Sequence, residues 1–234
     1  MICVLAALGL RLELDAARTL TVGGRPVIRN VPDKLSVSED GGAGGVFLRA
    51  EFAREAAAHT IQLGTLECSR LLACARATRY WMAPAFGTRA GDVPLDTQLL
   101  LLELAPDAYA VVLPLIDHAF RASVHGGRGD ALRLHAESGD REVCAGGMTA
   151  LYVAGGADPF ALVRSAVEEV AGRLRTFRPL SQKALPPSVD TFGWCTWDAF
   201  YSKVTPAGVL RGLGALHAAG VPPRTLILDD GWQS

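Results

Sequence analysis

The sequence has no excess of either charge, no paired cysteines, no metal-ligand spacing and no long apolar run, and each gap removes a class of function. Its 234 residues carry a formal net charge of -1, with acidic and basic residues interspersed. No electrostatic footprint for nucleic acid or an anionic membrane surface follows from that balance. No stretch reaches the roughly 20 apolar residues that a membrane-spanning helix needs. The five cysteines, Cys3, Cys68, Cys74, Cys144 and Cys195, are odd in number and scattered, with no CxxC pair. Such usage points to reduced thiols and a cytoplasmic protein. The histidines, His59, His118, His125, His135 and His217, form no HxxxH spacing and lie far in sequence from the cysteines, so neither a metal site nor a cofactor is implied. Gly41-Gly42-Ala43-Gly44-Gly45 is not followed by the Lys-Ser/Thr of a phosphate loop and reads as a flexible surface loop. The apolar run from Ile2 to Leu10 has no basic residue before it and leads into alternating Leu12 and Leu14. It reads as a buried first strand rather than a secretory signal.

What is present is a chain that is 50% hydrophobic, enough for a substantial core in one large domain or one domain plus part of another. Its natural partner is a neutral small molecule or another protein. The first half reads as β structure, since short apolar or alternating runs are punctuated by glycine, proline and aspartate. Arg18 to Val22 and Arg25 to Ile28 flank Gly23-Gly24, which suits a two-residue hairpin turn. Gln98 to Leu104 and Tyr109 to Ile116 are nearly continuous apolar runs around Ala105-Pro106-Asp107, as expected for two strands buried on both faces. Ala131 to Glu137 and Thr149 to Val153 extend the set toward a multi-stranded β-sandwich. Glu51 to Ala58 is ambiguous, its composition favouring helix and its surroundings strand.

Asp158 and Pro159 open a helix as N-cap and first helical residue. Phe160, Val163, Val167, Val170 and Leu174 form its apolar stripe, leaving Glu168, Glu169 and Arg173 on a solvated face. The spacing thus predicts a β-sandwich domain over 1–176 that ends in a helix, a breaker-rich linker over 177–190, and a new unit over 191–234. In that unit Thr191 to Cys195 is a strand, Thr205-Pro206 opens a helix with Val209, Leu213 and Leu216 inward, and Gly220 ends it. Thr225 to Leu228 is then a fully buried strand. This is one βαβ unit, and parallel α/β folds place their sites beyond the carboxyl ends of such strands.

Two clusters lie on that edge: Phe192-Gly193-Trp194-Cys195-Thr196-Trp197-Asp198 and Asp229-Asp230-Gly231-Trp232. Tryptophans beside carboxylates suit a sugar, the indole covering the C–H face of the ring and the carboxylates accepting hydrogen bonds from hydroxyls. The same residues also fit a plainer role as core aromatics and strand terminators. Cys195 has no base partner in the sequence and reads as a structural thiol.

FGWCTWDAFY over Phe192 to Tyr201 and LDDGWQS over Leu228 to Ser234 resemble the barrel start of the raffinose synthase, stachyose synthase and alkaline α-galactosidase family. The resemblance continues upstream through Tyr80-Trp81-Met82, GDVPLDTQ at Gly91 to Gln98, LPLIDHAFRAS at Leu113 to Ser123 and ESGD at Glu137 to Asp140. It departs at Ala75-Arg76-Ala77-Thr78-Arg79, where the family is more basic and aromatic. The resemblance implies a β-sandwich ahead of a (β/α)8 barrel and a retaining mechanism acting on α-galactosides. It implies that Asp229 and Asp230 hold galactose hydroxyls and that Trp197 packs on the sugar, with Trp194, Asp198 and Trp232 shaping the pocket. The family's nucleophile and acid/base come from later barrel strands, so no catalytic residue is expected in this chain. A barrel of this kind takes about 250 residues, which marks the chain as a fragment. A galactinol–sucrose galactosyltransferase is the leading reading, with galactinol, sucrose or raffinose as small-molecule partners. A hydrolase of raffinose-type sugars and a non-catalytic sugar-binding module are the alternatives.

Overall fold

The computed structural model describes residues 10–38, 45–53 and 56–233, and the chain divides into two compact units, Met1–Pro179 and Leu180–Ser234. The run Ile2 to Gly9, the glycine-rich loop over 41–44 and the middle of the Glu51 to Ala58 segment lie outside the described residues. At that segment's edges Phe52 closes one strand and Ala58 opens the next.

In the first unit fourteen strands among the described residues join into a single antiparallel sheet. Crossing it from one edge, the strands are Leu12–Leu14, Leu20–Val22, Arg25–Arg29, Ala58–Leu66, Ala131–Glu137, Phe120–Gly126 and Thr97–Ala105. Ala108–Pro114, Gly146–Gly156, Gly45–Phe52 and Leu35–Ser38 complete the path, while Arg70–Arg76 and Met82–Gly87 branch from Thr97–Ala105 and the short strand Ile116–Asp117 pairs with Phe120–Gly126. The expected hairpin turn is present, with Gly23 and Gly24 both at positive φ (54° and 74°). That is the backbone a two-residue turn between twisted strands requires.

The sandwich expectation needs correction. The strands form one continuous curled sheet rather than two separate ones. Register shifts at Leu20/Thr21, Leu132/Arg133 and Thr149/Leu151 add local twist. The sheet thereby folds back on itself: the backbone of Gly155 abuts Val22, seven strands away along the path. Period-2 alternation demands a cover for each inner face, but it does not say whether a second sheet or the far end of the same sheet provides it.

Consequently the core has two parts. Inside the curl, Leu20, Ile28, Leu63, Leu100, Leu102, Leu132, Leu134, Met148 and Leu151 are buried together. On the outer face, Phe47, Val111, Leu113 and Tyr152 pack against helix α1, Pro159–Leu174. Strand Ala108–Pro114 feeds both parts, Ala110 and Val112 pointing inward and Val111 and Leu113 toward the helix. Its two-sided burial explains the nearly continuous apolar run.

Helix α1 begins where expected, the Asp158 carboxylate accepting from the amides of Phe160 (2.9 Å) and Ala161 (3.4 Å) with Pro159 in the first turn. Of the expected apolar stripe, Val163, Val170 and Leu174 pack in the helix–sheet core, and the contact face extends to residues outside it. Leu162, Ala166, Val170 and Ala171 are buried, and Phe160 is 81% exposed. Alanines on the contact side let the helix approach the sheet closely, a feature that a stripe of large residues alone overlooks.

The second unit opens with one short 3-10 turn, Leu180–Gln182. The second unit pairs strand Gly193–Cys195 in parallel with Thr225–Ile227, Cys195 lying opposite Ile227. Helix α2, Pro206–Ala218, joins them, its N-terminus capped by Thr205 Oγ1, which accepts from the Gly208 amide at 3.1 Å. Thr225 to Leu228 is not fully buried as the sequence pattern suggests. Leu226 and Ile227 are 37% and 57% exposed, because only one helix and one neighbouring strand cover this short sheet. No helix among the described residues is long and apolar enough to cross a membrane.

Candidate functional site

The parallel pairing brings the two sequence clusters together. Beyond Cys195 the chain turns through Thr196 into a single helical turn, Trp197–Phe200. Beyond Ile227 it runs into Asp229 and Asp230. Thr196 is fully buried and joins the two edges: its amide donates to the Ile227 carbonyl at 3.1 Å, and its Oγ1 accepts from the Asp229 amide at 3.0 Å. With its amide bonded to Ile227 and its hydroxyl to Asp229, buried Thr196 ties the two strand ends together and fixes the backbone of Asp229.

Asp229 is held further at both carboxylate oxygens. Oδ1 accepts from the Asp230 amide at 2.7 Å, and Oδ2 accepts from the Cys195 thiol at 3.2 Å. The Asp230 amide, with help from the Cys195 thiol, draws the Asp229 carboxyl below its ordinary range. It is therefore ionised at neutral pH and can only accept hydrogen bonds. Asp230 is exposed, and its Oδ1 accepts from the Gly231 amide at 2.9 Å. Gly231 sits at φ 91° against Ser202, where a Cβ would lie 2.2 Å from the Ser202 carbonyl oxygen. Only glycine lets the Asp-Asp-Gly turn close onto that loop.

The aromatic residues separate into two groups. Trp197 is 40% exposed and packs edge-on against Tyr201, their ring centroids 5.4 Å apart. Trp232 is 65% exposed. Trp194 points the other way, tilted against Phe200 at 6.1 Å and lying over Gly212 of α2, where a Cβ would come within 2.3 Å of the indole. Asp198 is exposed in the first turn after Thr196. Exposed indole surface thus stands on the same strand edge as an ordered pair of carboxylates, a combination that can accept hydrogen bonds from a polyol while covering its apolar face.

Thr196 and Cys195 are the residues whose contribution the sequence left unseen. Both sit inside the tryptophan cluster, but their partners lie 33 and 34 positions away and depend on strand register. Among the described residues no group of three or more His, Cys, Asp or Glu is arranged to hold a metal ion.

The motifs of the first unit converge on a structural network instead. Arg121 Nη1 donates to Asp96 Oδ1 at 2.6 Å and Nη2 donates to Glu137, while Gln98 Nε2 also donates to Asp96 Oδ1 at 2.6 Å. Three sequence motifs are thereby cross-linked over neighbouring strands.

An antiparallel β unit followed by a parallel β–α–β unit, with carboxylates and indoles gathered at the carboxyl ends of its strands, defines a protein of mixed β and α/β class. The chain belongs to the raffinose synthase or seed imbibition protein Sip1 family, whose family model matches residues 13–234. It is 41% identical to the probable galactinol–sucrose galactosyltransferase 6 of Arabidopsis thaliana, over 92% of this chain and 31% of that protein. It is 34% identical to the galactinol–sucrose galactosyltransferase of Oryza sativa subsp. japonica, over 93% of this chain and 30% of that protein. The chain therefore spans about three-tenths of the length of these curated relatives. Among solved structures, an α-galactosidase from Thermus thermophilus in complex with stachyose is a distant likeness, with 16% identity and a TM-score of 0.44 over 86% of this chain and 44% of that one.

Proposed function

We propose that this chain supplies the galactose-gripping edge of a galactinol–sucrose galactosyltransferase. In this reading the first unit is an accessory β domain, and Gly193 to Ile227 is the opening βαβ unit of a (β/α)8 barrel. Asp229 and Asp230 accept hydrogen bonds from galactose hydroxyls, Trp197 covers the sugar face, and Trp232 and Asp198 border the pocket. Trp194 acts through packing on α2. The observation that carries the reading is the ordered Asp229 carboxylate, ionised and fixed at the strand edge beside Thr196. Transfer to sucrose is favoured over hydrolysis by the names of the two relatives above. The four described cysteines are free thiols, which fits a reducing cytoplasm.

Titration calorimetry of the 234-residue chain with galactinol, against myo-inositol as control, tests the assignment. Heat with galactinol, weakened about tenfold or more by Asp229→Asn through loss of a charged acceptor, is the expected result. Equal affinity in the variant removes Asp229 from the site. The pH dependence follows from the lowered Asp229 carboxyl. A depressed pKa keeps the binding form above it, so affinity persists as pH falls through the ordinary carboxylate range near about 4 and is lost only below it. A midpoint at or above that range contradicts the assignment.

A further inference from the structure

We propose that Cys195 is a positioning residue whose thiol fixes the Asp229 carboxylate in the orientation that receives a sugar hydroxyl. The role as stated rests on the galactose site proposed above. The geometry comes from strand pairing: Cys195 lies opposite Ile227 in the parallel ladder, and Asp229 follows two residues later. Its Sγ thus reaches Oδ2 at 3.2 Å. The Thr196 hydroxyl holds the Asp229 backbone and the Asp230 amide holds Oδ1. Without the thiol, the carboxylate would be tethered by one oxygen only and free to swing about its terminal torsion, which is broad for aspartate.

With both oxygens engaged, the plane of the carboxylate is set. Each oxygen still has a second acceptor direction for a ligand. A sulfur donor suits this place because its longer bond to Cβ spans the gap between strand ends, and because it is a weak donor that leaves most of the acceptor strength of Oδ2 for a hydroxyl. Cys195 is itself exposed, so the pair stands at the site surface and not in the core, and its removal is a local change.

The test compares Cys195→Ala and Cys195→Ser with the parent 234-residue chain, each checked for a native amide spectrum. The carboxyl carbon of Asp229 is titrated by NMR, and galactinol affinity is measured by calorimetry. The expected result is that Cys195→Ala moves the Asp229 titration upward and weakens galactinol binding about 2- to 5-fold, the scale of one modest hydrogen bond. Cys195→Ser should restore the titration at least in part, which a purely packing role would not do. An Asp229 titration unmoved in Cys195→Ala overturns the proposal whatever the sugar does. A shifted titration with restored behaviour in Cys195→Ser, but no galactinol heat in the parent chain, upholds the fixing of Asp229 by Cys195 and overturns the galactose reading alone.

Discussion

Val111 and Val112 are adjacent in a strand of the first unit and both are fully buried, whereas Leu226 and Ile227, adjacent in a strand of the second, are 37% and 57% exposed. The two runs look alike in sequence. In the first unit, odd and even residues each find a cover, the interior of the curled sheet on one side and α1 on the other. The second strand has one neighbour and one helix among the described residues. A continuous apolar run therefore records a need for two covers, and says nothing of whether a given stretch of chain provides them.

Core truncation should separate the units most sharply. Leu151 is fully buried inside the curl, so Leu151→Ala is expected to cost about 2 to 5 kcal/mol, lost transfer energy plus an unrelaxed cavity. Ile227→Ala removes a half-exposed side chain and should cost under about 1 kcal/mol. Denaturant unfolding of both variants, followed by hydrogen exchange at Val111 to Leu113 and at Thr225 to Ile227, checks the pair. Similar costs, or equal protection in the two strands, would mean that the second strand is as well covered as the first.

A smaller effect probes the curl itself. A Cβ on Gly155 would lie 2.3 Å from Val22 Cγ1 and 3.0 Å from the Leu10 carbonyl oxygen. Val22 is fully buried and has nowhere to retreat. Gly155→Ala should destabilise the first unit by about 1 to 3 kcal/mol through overpacking, while Gly214→Ala in α2, with open space around it, should be neutral or stabilising. A harmless Gly155→Ala would argue against the close return of the sheet edge.

Legibility in the sequence follows the range of the interaction. Local chemistry was plain: the Gly23-Gly24 turn, the Asp158-Pro159 and Thr205-Pro206 helix starts, and the alternation of strands with α2 all depend on neighbours within a few residues. Strands Arg70–Arg76 and Met82–Gly87 carry little sequence signal because their alanines weaken the alternation, and the pairing of the first with Thr97–Ala105 and of the second with the first supplies what propensity does not. The α1 stripe is legible at Val163, Val170 and Leu174, while Ala166 and Ala171, small and easily discounted, widen the contact face beyond it. In the site, the tryptophan and aspartate clusters were visible as composition. The Thr196 and Cys195 hydrogen bonds to Asp229 were not, since they exist only once Cys195 is set opposite Ile227.

The helix caps give the finest comparison between the units. Asp158 accepts from two amides and presents a carboxylate to the positive end of α1, while Thr205 accepts from one amide with a neutral hydroxyl. Loss of a side-chain cap typically costs about 1 kcal/mol, and a charge favourably placed at a helix N-terminus adds about 0.3 to 1 kcal/mol. Asp158→Ala should therefore destabilise more than Thr205→Ala. Asp158→Asn, which retains the acceptor and drops the charge, should fall between Asp158→Ala and the parent chain. The readout must be local because the units need not unfold together: exchange of the first-turn amides of α1 reports the former, and those of α2 the latter. Added salt should narrow the difference between Asp158→Asn and the parent, as screening removes the dipole contribution, and leave Thr205→Ala unchanged. A salt-insensitive Asp158 cap would show that its two hydrogen bonds alone hold the start of α1, and a Thr205→Ala cost equal to that of Asp158→Ala would remove the asymmetry between the two helix starts.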